Sequence, residues 1–492
     1  MKLYLIGHSF QYELEKLIRI FLPFEKIEFL REPAPALVEE AVVTAVQKEA
    51  DATFLSVRLS ALGVDESARK MLTDSDEKTD ELELAVLLYG LLVKATGYCP
   101  PWGILTGVRP AKLYARLCRK EGREKTERYF SEKLLVSSEK IGLCRETFDK
   151  EESIIALSGD KSFSLYLSIP FCPSRCSYCS FVSHSIADAK RLIPDYVALL
   201  CRELAYTAQI AADCGLQLET VYIGGGTPTA ISAEQLDEIM KTVRRCFDLS
   251  VLREYTVEAG RPDTVTAEKL KVIKENGATR ISINPQTMSD EILCKIGRKH
   301  TSRQTVDAFE LAREIGFDNI NMDLIAGLPS DTPQQFDRTI KKVLALYPES
   351  VTVHALSMKR SSTLSVTGQR PEFAEGQNAS LMVENARQLL CQNGIVPYYM
   401  YRQSKTVGNL ENVGYAKQGK ECLYNVYIMD ETHTILACGA SAVTKLRQPD
   451  GDRIERIFNF KYPYEYIARF EELCQRKDAI KTFYEPYTST DQ

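Results

Sequence analysis

The stretch YLSIPFCPSRCSYCSF, residues 166–181, carries the reading of this chain. It places Cys172, Cys176 and Cys179 at the spacing Cys-x3-Cys-x2-Cys. Pro170 and Pro173 break regular structure, so the cysteines sit on a loop leaving the strand-like run SFSLYLSI, 162–169. A loop can wrap three thiolates around one metal centre. A structural zinc site closes with four ligands, and His184 is the nearest candidate for a fourth. A four-cysteine iron–sulfur cluster would be saturated. Three cysteines point to a [4Fe–4S] cluster with one iron left open to a substrate or cofactor. The remaining cysteines of the fourteen are scattered and read as small buried hydrophobes.

Outward from this loop the pattern alternates. Strand-like runs at 162–169, 219–225, 254–259, 279–285, 319–327 and 350–357 enclose helical runs near 190–213, 233–247, 266–276, 303–315 and 333–346. Six strands and five intervening helices argue for parallel βα units, as a barrel or a doubly wound sheet. The chemically unusual residues fall at successive strand ends, where a βα barrel builds its active site. Residues 1–155 read as an N-terminal α/β domain, 156–360 as the catalytic domain and 361–492 as a C-terminal cap. Within the flanks the expected elements include a helix from Gln11 to Ile20, a strand at Ala52–Val57, and a helix at Leu82–Thr96. In the cap they are a helix near 379–393 and short strands at Tyr398–Gln403, Leu423–Met429 and Thr434–Cys438. The loop around Trp102 and Arg109 reads as a structural turn.

Composition narrows the function classes. The 492 residues are 44% hydrophobic and 26% charged, as in globular proteins, which excludes wholesale disorder. A net charge of -5 argues against a dedicated nucleic-acid binder. The longest apolar stretch, Leu84 to Val93, is half of the roughly 20 residues a membrane-spanning helix needs. The N-terminus lacks the apolar core of a signal peptide. A cytoplasmic location is expected, where the cysteines do not form a disulfide framework.

Further motifs follow the cysteines. YIGGGTPT, 222–229, puts consecutive glycines after the second strand, where backbone can approach a ligand closely. VEAGRPD ends the third strand with Glu258, SINPQTM follows the fourth with Gln286, IGRKH carries Arg298, and NMDLIAGLP sets Asp323 inside an apolar strand. The cysteine spacing, with an aromatic between the second and third, resembles the radical S-adenosylmethionine (SAM) superfamily. Together with WGILTGVRP, VHALSMKRSS and YYMYRQSKTVGNLENVGYA, the set is similar to the oxygen-independent coproporphyrinogen III dehydrogenases, most of all their HemZ type.

The resemblance implies a partial (β/α)6 radical SAM barrel, with an N-terminal α/β domain and a C-terminal α+β cap. It implies that Cys172, Cys176 and Cys179 hold a [4Fe–4S] cluster whose open iron is chelated by SAM. Tyr166, Gly225, Gly226, Thr227, Glu258, Gln286, Arg298 and Asp323 would then bind SAM: Glu258 its ammonium, Arg298 its carboxylate, Gln286 and Asp323 its ribose. One electron from the reduced cluster would cleave SAM, and the resulting 5′-deoxyadenosyl radical would take a hydrogen from an unactivated carbon. The family reaction converts two propionates of coproporphyrinogen III into the vinyl groups of protoporphyrinogen IX, in haem biosynthesis, with two SAM molecules bound and an electron donor such as flavodoxin or ferredoxin. The tetra-anionic substrate calls for a cationic pocket, with Lys359, Arg360, Arg402 and Lys405 as candidates. Two positions depart from the well-studied dehydrogenases: Ser168 stands where they carry histidine, and Phe181 where they carry a fourth cysteine. Relatives with phenylalanine there include haem chaperones. A haem-binding chaperone, or a radical SAM enzyme acting on another tetrapyrrole, therefore stands beside the dehydrogenase. For His354 and Cys438 the expectation is packing.

Overall fold

The computed structural model describes all residues except 33–38, 74, 180–182, 358–372, 404–405, 450, 452 and 489–492. The chain divides into two compact units rather than three. One comprises Met1–Glu146, Arg370–Gln377 and Arg402–Leu410; the other comprises Thr147–Gln369, Asn378–Tyr401 and Glu411–Gln492. The expected cap thus has no unit of its own, because its strands extend the sheet of the catalytic domain.

In the first unit a mixed sheet runs in the order Glu28–Leu30, Lys2–Ile6, Ala41–Lys48, Thr53–Ala61, Val64–Leu72. Helices Gln11–Phe21 and Glu77–Thr96 belong to the same unit. Asp76 caps the longer helix by accepting the Thr79 N–H, and Gly97 ends it in the left-handed region. Trp102 is buried. Arg402 packs over its ring at 5.4 Å and donates to the carbonyls of Leu105, Gly107 and Asn409. Arg402, expected as a substrate cation, is thus a buried tie between loops. Lys359, Arg360 and Lys405 lie outside the described residues.

The second unit holds the six expected barrel strands: Ser162–Ile169, Gln217–Gly225, Glu254–Gly260, Arg280–Ile283, Ile320–Ala326 and Ser350–Ala355. Consecutive strands pair in parallel, in chain order. The sheet does not close: Glu411–Ala416 adds antiparallel at the sixth strand, and Thr434–Cys438 adds parallel at the first. The five crossover helices are Ile193–Asp213, Ala233–Cys246, Ala267–Glu275, Ser302–Glu314 and Pro333–Leu344. Four of them start at a Ser or Thr cap, and Ser232/Gln235 and Thr301/Gln304 complete reciprocal capping boxes.

One expected cap strand is a helix. Leu423–Asp430, expected to be extended, is helical, and the Glu254 carboxylate accepts the backbone N–H groups of Leu423 and Tyr424 at its start. A carboxylate there satisfies orphan donors and complements the helix dipole. Thr434–Cys438 is a strand, but it belongs to the barrel sheet.

Candidate active site at the strand ends

The inner positions of the barrel strands show one recurring feature. Glu258 is the sole residue of Glu254–Gly260 that is not buried. Asp323 holds that position in Ile320–Ala326, and His354 in Ser350–Ala355. Apart from their first residues, the first strand leaves only Tyr166 accessible and the second only Tyr222 and Gly225. Five strands thus each leave a polar or aromatic side chain partly accessible, while the side chains of their other positions, first residues apart, are buried.

These groups interact. Tyr222 donates its hydroxyl to Glu258 Oε1 at 2.6 Å. The rings of Tyr166, Tyr222 and Tyr424 stack on one another, Tyr222 and Tyr424 with centroids 4.5 Å apart. Burial pushes the Glu258 carboxyl up to about 7; the Tyr222 hydrogen bond opposes this, and the neighbouring Asp323 charge adds to it. Burial also acts to raise Asp323, but hydrogen bonds and charge from His354, with Asn321 and Thr352, hold it below the usual range. Asn321 Nδ2 donates to Asp323 Oδ1 at 2.7 Å, and His354 Nε2 lies 3.9 Å from Oδ2. Two carboxyls of one site are therefore held in different states, Glu258 poised to titrate and Asp323 anionic. His354, expected to be a packing residue, belongs to this group. Cys438 is buried, as expected of a packing residue.

Gln286 lies beside Asp323 through its backbone: its N–H donates to the Asp323 carbonyl at 2.9 Å, and its carbonyl accepts the Ile325 N–H at 3.0 Å. It takes a left-handed φ of 67° to do so.

The cysteine loop reaches this level from the first strand. Phe171–Cys172 pairs with His184–Ser185, which folds the loop back on itself. Cys176 is buried, while Cys172 and Cys179 are half-buried. His184 packs edge-on against Tyr462 and Tyr464. Phe181 lies outside the described residues. Among the described residues no three Cys, His, Asp or Glu side chains are gathered as tightly as a single ion requires. An iron–sulfur cube spaces its thiolates more widely than one ion does.

The glycine turn is locked onto this loop. The N–H groups of Gly226 and Thr227 donate to Ile169 and Phe171 carbonyls at 2.8 Å each. Gly225 has φ +109°, and a Cβ on Gly226 would lie 2.6 Å from the Phe171 carbonyl oxygen and 3.0 Å from Cys172 Sγ. Only glycine fits there. Thr227 Oγ1 is 3.5 Å from Cys172 Sγ.

Two arginines, Arg261 buried and Arg298 half-buried, grip the same loop. Arg298 donates to Tyr178 Oη through Nε and Nη2, at 3.2 and 3.0 Å, and to the Asn284 carbonyl at 2.7 Å. Arg261 donates to Ser174 and approaches Cys176 Sγ at 4.0 Å. Arg261 was not singled out from the sequence, although it lies inside the quoted VEAGRPD. An arginine between the strand-end glycine and a proline was its one signal.

The geometry has counterparts. Residues 166–343 match the family described as the Radical SAM superfamily. The oxygen-independent coproporphyrinogen-III oxidase-like protein HemZ of Bacillus subtilis (strain 168) is 38% identical over 398 residues, 80% of this chain and 79% of that protein. The heme chaperone HemW of Escherichia coli (strain K12) is 31% identical over 308 residues, 62% of this chain and 75% of that protein. The solved structure of coproporphyrinogen III oxidase (HemN) from Escherichia coli, described as a radical SAM enzyme, shares the fold with a TM-score of 0.52 at 22% identity, covering 65% of this chain and 72% of that one. The chain belongs to the radical SAM superfamily, within its oxygen-independent coproporphyrinogen-III oxidase-like family.

Proposed function

We propose that the protein removes two propionate carboxylates from coproporphyrinogen III by radical SAM chemistry, without oxygen, to give protoporphyrinogen IX. The family implies a [4Fe–4S] cluster and SAM. The observation that carries the proposal is the accessible ring of Tyr166, Tyr222, Glu258, Asp323 and His354 in otherwise buried strands. A site built only to pack would bury them.

The residues present suit these groups. Cys172, Cys176 and Cys179 would hold three irons. Their loop lies against the Gly225–Thr227 backbone, and the missing Cβ atoms of Gly225 and Gly226 let the turn approach Ile169, Phe171 and Cys172 closely. The bound pair supplies hydrogen-atom abstraction from an unactivated carbon, chemistry no side chain of this chain provides. Glu258 would bind the SAM ammonium, and that pairing would draw it into its ionised form. Asp323, already anionic, would accept from ribose hydroxyls beside Gln286. Arg298 has guanidinium donors beyond the three bonds it makes, so it can hold the loop and pair with the SAM carboxylate. Tyr166 would close one wall through its stack with Tyr222 and Tyr424. A second SAM, a small electron-transfer protein such as flavodoxin or ferredoxin as donor, and a cytoplasmic setting complete the proposal. Among the described residues no helix is long and apolar enough to cross a membrane.

One sequence feature favours a second reading, a haem chaperone that keeps the cluster and SAM site: Phe181 occupies the place of the dehydrogenases' fourth cysteine. Anaerobic incubation of reconstituted protein with coproporphyrinogen III, SAM and dithionite separates the readings. The expected product is protoporphyrinogen IX by mass spectrometry, with two 5′-deoxyadenosines per product. Tight haem binding without turnover refutes the decarboxylation and supports the chaperone. A methylated or ring-opened product from another tetrapyrrole assigns a different substrate.

A further inference from the structure

Arg261 is only 3% exposed, and its donors are divided between two tasks. Nε and Nη2 donate in parallel to the two oxygens of Asp263, at 3.0 and 2.8 Å. This bidentate pairing fixes the plane of the guanidinium. Nη1 is thereby aimed the other way, at the cysteine loop. It donates to the Ser174 carbonyl at 3.1 Å and the Ser174 hydroxyl at 2.9 Å, and stands 4.0 Å from Cys176 Sγ. Cys172 lies beside neutral hydroxyls, with Thr227 Oγ1 at 3.5 Å, and feels the Arg261 charge through space. Among the described contacts, the closest approach of this fixed positive charge to a loop sulfur is at Cys176, the buried one.

A one-electron reduction adds negative charge to an iron–sulfur centre, and that charge spreads onto its thiolates. Hydrogen bonds and positive charge at a ligand sulfur favour the reduced form and raise the potential. We propose that Arg261 sets the reduction potential of the iron–sulfur centre through Cys176, and that Asp263 moderates it by withdrawing part of the guanidinium charge. The proposal rests on the reading of the cysteine loop as the cluster's ligand set. Arg261 is a positioning and tuning residue here, since it touches a ligand and not the substrate.

The two members of the pair make opposite predictions, which a structural role does not. The full chain is reconstituted anaerobically as wild type, Arg261→Gln, Arg261→Lys and Asp263→Asn. Each is titrated with titanium(III) citrate, the electron source, while the reduced cluster is followed by electron paramagnetic resonance. Arg261→Gln should lower the ratio of reduced to oxidised cluster at a fixed potential at least tenfold, a shift of about 59 mV for a one-electron couple. Arg261→Lys keeps the charge but loses the fork, and should fall between it and the wild type. Asp263→Asn frees the guanidinium charge and should move the potential the other way. Equal potentials in all loaded proteins, or shifts of the same sign in Arg261→Gln and Asp263→Asn, overturn the proposal. Should Arg261→Gln take up no iron, the sign of the Asp263→Asn shift decides: upward supports it, and unmoved or downward overturns it. Wild-type protein that binds no iron overturns the reading of the cysteine loop and this proposal with it, whereas loaded proteins with unmoved potentials overturn this proposal alone.

Discussion

Glu258→Gln is the substitution whose consequences the structure defines most sharply. The carboxyl is pushed up to about 7, first by burial and then by the nearby Asp323 charge. Only its ionised form can pair with an ammonium ion. At pH 6 roughly a tenth of the free protein carries that charge, and at pH 7.5 roughly three quarters, so SAM affinity should rise about eightfold across the interval, or about 1.2 kcal/mol. At pH 7.5 an α-amino group of pKa about 7.7 to 8.0 has itself lost roughly a quarter to two fifths of its protons, which trims the expected rise to about five- to sixfold. Glu258→Gln keeps the shape but cannot ionise. Its affinity at pH 7.5 should fall by about 1.5 to 3 kcal/mol, the worth of a hydrogen bond to a charged group, and its pH profile should be flat. Calorimetric titration of SAM into anaerobic, cluster-loaded protein reads both quantities. Folding makes the opposite prediction. A carboxyl whose folded value is raised binds more protons in the folded than in the unfolded state between about 4.5 and 7. Its contribution to stability therefore falls as pH rises through that window, and Glu258→Gln should melt no lower than wild type at pH 7.5. A wild-type SAM affinity independent of pH, or a Gln variant that keeps both affinity and slope, would refute the assignment of Glu258 to the ammonium.

Two further substitutions test the scaffold beneath the site. Gly226→Ala forces a methyl against the Phe171 carbonyl and Cys172 Sγ; iron and sulfide content after anaerobic reconstitution should fall sharply while the far-UV spectrum is retained, and full loading would show that the turn tolerates displacement. Lys477→Met breaks a fully buried pair in which Nζ lies 3.0 Å from Glu203 Oε1. Because Gly439, Tyr466 and Asn459 still donate to that carboxylate, the loss should sit near the lower end of the ~3–5 kcal/mol for a broken buried pair; urea unfolding measures it, and a change under 1 kcal/mol would mean the pair is dispensable.

The barrel was legible in the sequence because its signals are local. Each strand is a short apolar run, and four of the five crossover helices begin at a Ser or Thr whose side chain takes an N–H three residues on. Leu423–Asp430 was not legible for the opposite reason. Leu-Tyr-Asn-Val-Tyr-Ile-Met has no one-sided apolar stripe, since the segment packs on more than one side, and the carboxylate that caps it comes from Glu254, far away in the chain. The strand Val64–Leu72 escaped for a related reason: VDESARKML is an edge strand rich in charge, and only its pairing with Thr53–Ala61 makes it a strand.

The same distinction runs through the site. Asp323 stood out because a carboxylate in an apolar strand demands a partner, and Glu258 because it ends the third strand, where the family resemblance implies a partner for the SAM ammonium. His354 did not stand out, because a single histidine near a strand end is ordinary on its own. Its significance appears only when Asp323 on the adjacent strand is found within 3.9 Å, and when both prove to be the one accessible residue of their strands. Arg402 shows the converse error: a cation in a polar stretch suggested a substrate anion, yet its charge is consumed by three backbone carbonyls and the face of Trp102. A charged residue tells what it needs, and only the fold tells whether a ligand or the protein itself supplies it. By that criterion Glu258 is the carboxylate of this ring that a cation should claim. Asp323 already draws on Asn321 and His354, whereas Glu258, despite the hydrogen bond from Tyr222, still titrates at about 7, and a bound ammonium would draw it fully into its ionised form.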